Sequence, residues 1–231
     1  MIPLKDSTPR STAPVVTAAL IVINTLAFLY ELTLPERLEQ AFFMSYAMVP
    51  ARLTHLLTAH APLDVTLLPF LTSMFLHGGW LHLIGNMWFL WVFGDNVEDR
   101  LGHFSYLVFY LVCGIGAGLA HVVMNLGSRV PSLGASGAIS GVLGAYIMLY
   151  PGARVLTLMP LIIFWFTVEI PAFIVLGWWF VIQFLSGISS VGARSSGGTA
   201  WWAHIGGFLL GVGLVKIWPQ RRRRAWYSES Y

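Results

Sequence analysis

The sequence predicts an all-α membrane protein, a bundle of six transmembrane helices. Three observations predict it. Of 231 residues, 57% are hydrophobic and only 10% are charged, with a mean hydropathy of +0.73; a soluble domain carries about a quarter charged residues. The few charges are also spaced: no Asp, Glu, Lys or Arg occurs in 11–30, 65–94, 103–128, 130–153, 170–193 or 195–215. Each run reaches about the 20 residues a helix needs to cross a ~30 Å hydrocarbon core. Finally, the net charge of +3 is concentrated at the two ends.

Span 1 is expected at 14–33. It is too long for a cleavable signal peptide, lacks a small-x-small cleavage site, and ends in Glu31–Leu32–Thr33. The loop 34–66 mixes Glu36, Arg37, Glu39, Arg52 and Asp64 with Leu, Phe and Met, the pattern of interfacial amphipathic helix. Span 2 lies within 68–94, with Gly78–Gly79 before its main helix, and span 3 at 104–126. Span 4 covers 135–150 and ends before Pro151–Gly152. Span 5 is the later part of 155–188, because Glu169 and Pro171 interrupt the earlier part; Glu169 is expected at a helix end. Span 6 is 200–218, closed by Pro219.

Lys5 and Arg10 precede span 1, and Arg221 to Arg224 follow span 6. Basic flanks stay cytoplasmic, so both termini are expected inside, with tails 1–13 and 220–231 around one domain, 14–219. The four arginines read as a topology anchor near anionic lipid rather than as a nucleic-acid contact. Asp95, Glu98, Asp99 and Arg100 are expected as a loop cluster with structural pairing. The lone Cys113 excludes an intramolecular disulfide and leaves the redox compartment open.

With the amino terminus inside, spans 2, 4 and 6 run from outside to inside. His82 and Asn86, Ser136, and His204 lie near the starts of those spans, so they should converge at one depth. Ser136 sits in Gly134–Ala135–Ser136–Gly137, where small neighbours let a backbone approach and a helix start offers free N–H groups. Sixteen helical residues in 135–150 rise only about 24 Å, so the loop 127–134 should dip into the membrane, buried in protein or lining a wet cavity. Alone, the motif is more often helix packing, since Gly137, Gly141 and Gly144 form small-xxx-small pairs. His204 follows Trp201–Trp202 and could be an interfacial histidine, but an ionisable group inside a span is a functional hypothesis by default. Gly207 and Gly211 let span 6 lie against the matching glycines of span 4, which could bring His204 to Ser136 as a general base.

His82 and Asn86 share one helix face, and both could stabilise an oxyanion together with the amides of Ser136 and Gly137. His77 is expected nearer the surface in a structural role. No H-E-x-x-H motif is present, and His77/His82 and His55/His60 have poor spacing for a metal, so no metal or cofactor is expected. The aspartates, Asp6, Asp64, Asp95 and Asp99, fall in tails or loops, so neither an aspartyl pair nor the third member of a Ser-His-Asp triad is visible. A Ser136–His204 dyad is what remains.

The pattern from about residue 70 to 215 resembles the rhomboid family of intramembrane serine proteases. His82-x-x-x-Asn86 looks like the family's second-span motif, and Glu98-x-Arg100 before Leu101–Gly102 like its structural motif. Gly134–Ala135–Ser136–Gly137 looks like the nucleophile motif, and Ala203–His204 before Gly206–Gly207 like the histidine motif. The resemblance implies a six-span rhomboid-like fold, the Ser136–His204 dyad, an oxyanion site from His82, Asn86 and the Ser136 amide, and transmembrane proteins as substrates. It also implies the six-span form common in bacteria, hence a bacterial inner (cell) membrane. Two departures stand out: Ser140 occupies the position where many members carry a Tyr or Phe stacked on the histidine, and the first loop has no Trp–Arg pair. The rival functions are a non-catalytic rhomboid-like binding factor and a small-solute transporter, for which Glu169 would be the best residue.

Overall fold

A computed structural model describes residues 1–59, 62–161, 164–190 and 200–221. The chain runs through β1 (Ile2–Asp6), α1 (Val15–Glu31), α2 (Glu36–Tyr46), α3 (Pro50–Thr58) and α4 (Leu63–Thr72), which continues as a 3₁₀ turn (Ser73–Phe75). It continues through α5 (Trp80–Leu101), α6 (His103–Met124), α7 (Ser136–Leu149), β2 (Arg154–Leu161), β3 (Phe164–Pro171), α8 (Ala172–Ser190) and α9 (Trp201–Val215). The protein is mostly helical and built for a membrane. Among the described residues α6 and α8 are each long and apolar enough to cross one, and residues 66–75 with α5 pass the same test as a pair bent by 84°. α1, α7 and α9 are shorter apolar helices. Phe173, Trp178, Val181, Phe184 and Leu185 leave α8 with an exposed apolar flank, as suits lipid rather than water.

The core holds α7 between α5, α6 and α9, around buried Phe93, Tyr106, Phe109, Tyr110 and Tyr146. α7 and α9 touch backbone to backbone. A Cβ on Gly207 would lie 2.1 Å from Gly137 O, and one on Gly211 would lie 2.0 Å from Gly141 O. The pairs 137/207 and 141/211 advance together, so the two helices run parallel. Small residues permit such an approach, and close packing is what drives helix association in lipid. α5 runs the same way: His82 meets Gly134 at one end, and Phe93 packs on Tyr146 at the other.

Three expectations need correction. First, the chain is not purely helical. β1, β2 and β3 form an antiparallel sheet in that order, pairing Asp6 with Val155 and Val155 with Ile170. The segment 155–170 is rich in Val, Ile, Thr and aromatics, so it reads as apolar run and β-strand alike. Glu169 therefore lies in a strand, 61% exposed and 3.5 Å from Arg154, rather than at a helix end.

Second, Asp95, Glu98, Asp99 and Arg100 belong to the last turns of α5, not to a loop. The amino-terminal end of α1 makes this possible. Glu98, fully buried, accepts the N–H groups of Val16 at 2.8 Å and Thr17 at 2.7 Å and lies 2.6 Å from His103 Nδ1. Asp99 accepts those of Ser11 and Thr12. Unpaired N–H groups and the positive end of the dipole stabilise carboxylates there. Arg100 donates to Arg221 O at 2.7 Å. Third, His77 is not near the surface but 1% exposed.

The loop 34–66 forms α2, α3 and the start of α4, and α2 buries none of its residues. The tail beyond Arg221 lies outside the described residues.

Candidate active site

Ser136 is the first residue of α7, and no side chain caps that helix start, so its first amides have no intrahelical acceptor. The approach loop is held by backbone pairing. Met48 and Ser132 exchange N–H···O bonds of 2.9 and 2.7 Å, and Gly134 donates to Ser73 O at 2.8 Å. The backbone of this approach is thus satisfied by protein partners, one of the two ways irregular chain can be accommodated at membrane depth. Gly134 has φ +124°, and a Cβ there would sit 2.6 Å from His82 Nε2. Both the left-handed backbone and the contact demand glycine.

His204 lies one turn into α9 and is 8% exposed. The parallel α7–α9 seam sets its ring beside the serine: His204 Nε2 is 2.7 Å from Ser136 Oγ. The other ring nitrogen, Nδ1, is 2.7 Å from the side-chain oxygen of Gln183 on α8. Trp179, one turn before Gln183, packs on the imidazole with centroids 5.9 Å apart and planes tilted by 32°. Ser140 makes no such contact; its hydroxyl donates to Ser136 O at 2.6 Å and closes its own helix turn.

Asn86 is buried, and its Nδ2 lies 3.0 Å from His77 Nε2. The His77 N–H faces both oxygens of buried Glu31, at 3.2 and 3.3 Å, and the ring packs on His82 with centroids 5.1 Å apart. Ser136, His204, His82, Asn86, Ser140 and Trp179 line one cavity of about 790 Å³, with Leu81, Phe89, Ile139 and Leu143 supplying apolar wall. The cavity has the mixture expected of a binding site: apolar lining with a few convergent polar groups.

The residues expected from the sequence are thus divided between two ends. Ser136, His204, His82, Asn86, Gly134, Gly137 and Gly207 gather at the cavity end. Glu98 and Arg100 sit at the opposite end of α5, where they tie down α1 and Arg221. Sequence reasoning missed Gln183, Trp179, Glu31 and the partnership of His77. Gln183 had a signal, being the one amide side chain between Ala172 and Ser190. Trp179 is one of ten tryptophans, and nothing in the sequence singles it out.

The model of the Rhomboid domain matches residues 65–221. Rhomboid-like protein 11, chloroplastic, of Arabidopsis thaliana is 38% identical over 79 residues, covering 34% of this chain and 28% of that protein. Presenilin-associated rhomboid-like protein A, mitochondrial, of Danio rerio is 32% identical over 169 residues, 67% of this chain and 39% of its own length. Rhomboid protein 1, mitochondrial, of Saccharomyces cerevisiae is 33% identical over 150 residues, 61% and 38%. The matched stretches span well under half of these relatives. All three are organellar, so the bacterial membrane expected from the sequence finds no support among them. The match over most of the chain, carrying both the Ser136 and the His204 motifs, makes this integral membrane protein a member of the rhomboid family.

Proposed function

We propose that the chain is an intramembrane serine endopeptidase that hydrolyses peptide bonds in or near transmembrane segments of other membrane proteins. The observation that carries the proposal is the 2.7 Å approach of His204 Nε2 to Ser136 Oγ inside a protein-walled cavity. A serine hydroxyl is a weak nucleophile until a neighbouring base takes its proton, and this is hydrogen-bond geometry for that transfer.

Ser136 Oγ attacks the scissile carbonyl carbon while His204 Nε2 accepts the hydroxyl proton. The tetrahedral oxyanion is met by the Ser136 and Gly137 amides at the α7 start, with Asn86 and His82 on the facing wall. Collapse breaks the C–N bond, His204 gives its proton to the leaving amine, and an acyl-enzyme remains. Water then attacks the ester carbonyl and gives a proton to His204; collapse breaks the C–Oγ bond, His204 returns that proton to Ser136 Oγ, and the acid product leaves. The chemistry uses the chain's own groups and no metal or cofactor.

The proposal includes six spans, α1, α5, α6, α7, α8 and α9, with both termini on one side. α7 has 14 residues and rises about 21 Å, so its start lies below the membrane surface. That depth suits a substrate helix arriving from the lipid. Glu169, the residue a transporter would need, is exposed on β3 and paired with Arg154, which leaves that reading without its residue.

Cleavage of a single-span substrate in proteoliposomes is the test. Ser136→Ala and His204→Ala should each lower cleavage by about 10⁴-fold or more, as removal of either member of such a unit does, while both variants remain folded. Cleavage that survives Ser136→Ala contradicts the mechanism. Absence of cleavage in the folded parent chain favours a non-catalytic binding factor.

A further inference from the structure

We infer that Gln183 is a positioning residue for His204: its side-chain oxygen holds the imidazole in the tautomer that leaves Nε2 free to take the Ser136 proton. The inference rests on the protease reading and adds to it a third member drawn from α8.

A neutral imidazole carries one N–H. With Nε2 protonated, that N–H would point at Ser136 Oγ, and the ring could not accept the hydroxyl proton. With Nδ1 protonated, the lone pair on Nε2 faces the serine. The carboxamide oxygen of Gln183 is an acceptor only, 2.7 Å from Nδ1. It therefore selects the productive tautomer. Gln183 is 6% exposed, while Ile182 and Phe184 on either side are 40% and 43% exposed, so the amide is the inward residue of its turn.

The chemistry also accounts for an amide at this position. An ionised carboxylate would do the same orienting work, but an unpaired charge inside a span is costly. Trp179, four residues earlier on the same face of α8, packs on the ring. One helix face thus supplies both the hydrogen bond to Nδ1 and the ring contact. Ser140 supplies neither: it has no ring to pack on the imidazole, and its hydroxyl turns back to Ser136 O.

A bond between helices could serve packing alone. That role would change stability without selecting a tautomer. The test uses the full chain in lipid vesicles with ¹⁵N-labelled histidine, the His204 signal being identified by its loss in His204→Ala. Three readouts are followed: the ring tautomer, the rate of Ser136 labelling by a fluorophosphonate, and kcat and KM for a single-span substrate.

The parent chain should show the Nδ1–H tautomer. Gln183→Met, similar in size but without the acceptor, should lose that preference and label at least about tenfold more slowly, within the ~10⁴-fold cost of a wrong tautomer in a serine protease. Its kcat should fall with KM unchanged. Gln183→Glu, which restores an acceptor oxygen, should recover most of the labelling rate. An Nε2–H tautomer in the parent overturns the inference, as does a Gln183→Met chain that keeps the parental tautomer and rate. Equal loss in both variants with a lowered thermal midpoint assigns Gln183 to packing and also overturns it. If Gln183→Met does not fold, the parental tautomer and Gln183→Glu decide. An Nδ1–H parent whose Ser136 never labels sinks the protease reading while leaving the positioning intact.

Discussion

The two ends of α5 both carry polar side chains and use them in opposite ways. At its carboxyl end, Glu98 and Asp99 direct their oxygens at the amides of α1 and the segment before it, and Arg100 binds Arg221 O. These groups tie distant pieces of chain together. At its amino end, His82 and Asn86 face a cavity with Ser136 and His204, and room for another molecule is left. A buried polar group that saturates backbone amides stabilises a fold; one that lines a cavity is available to a ligand. The difference is visible in geometry and hidden in composition.

Substitutions at the two ends should therefore separate activity from stability. The largest split is expected for Asn86→Ala. Loss of one oxyanion donor costs about 10²–10³ in kcat, and steady-state kinetics should show that fall with KM nearly unchanged. A KM effect alone would move Asn86 from oxyanion contact to substrate binding.

Gly211→Ala probes the seam joining the two ends. The added methyl would sit 2.0 Å from Gly141 O, backbone that cannot rotate away, so α9 must shift from α7. Overpacking of this kind costs about 1–3 kcal/mol. Both the midpoint of denaturation and the Ser136 labelling rate should drop, because the same seam sets the Ser136–His204 distance. A drop in stability with full labelling would show that the dyad geometry survives a wider seam.

Glu98→Gln is the smallest and cleanest. One acceptor oxygen becomes an NH₂ group, leaving a buried N–H of Val16 or Thr17 without its partner, at about 1–3 kcal/mol. Equilibrium unfolding should register that loss, while labelling of the folded fraction stays at the parental rate. A matching fall in labelling would mean that the two ends are coupled.

Much of the helical frame was legible because a charge-free run of about twenty residues matches the length of helix that crosses a bilayer. Where charge was used as the boundary, it misled: α5 continues through Asp95, Glu98 and Asp99 because the amino-terminal segment and α1 supply partners from 80 residues away or more. The sheet was illegible for the same reason. β1 finds its partner in β2 about 150 residues later, and no local pattern encodes such a pairing. Ser136, His204, His82 and Asn86 stood out through their motifs and the shared direction of three spans. Gln183 and Trp179 did not, since only the packing of α8 on α9 brings them to His204.

The most direct measurement is fluorophosphonate labelling of the purified chain in lipid, with the modified residue located by mass spectrometry. The Ser136–His204 dyad predicts a single adduct on Ser136 that disappears in His204→Ala while that variant remains folded at the labelling temperature. An adduct that persists at the parental rate in His204→Ala, or one that falls on another serine, would contradict it.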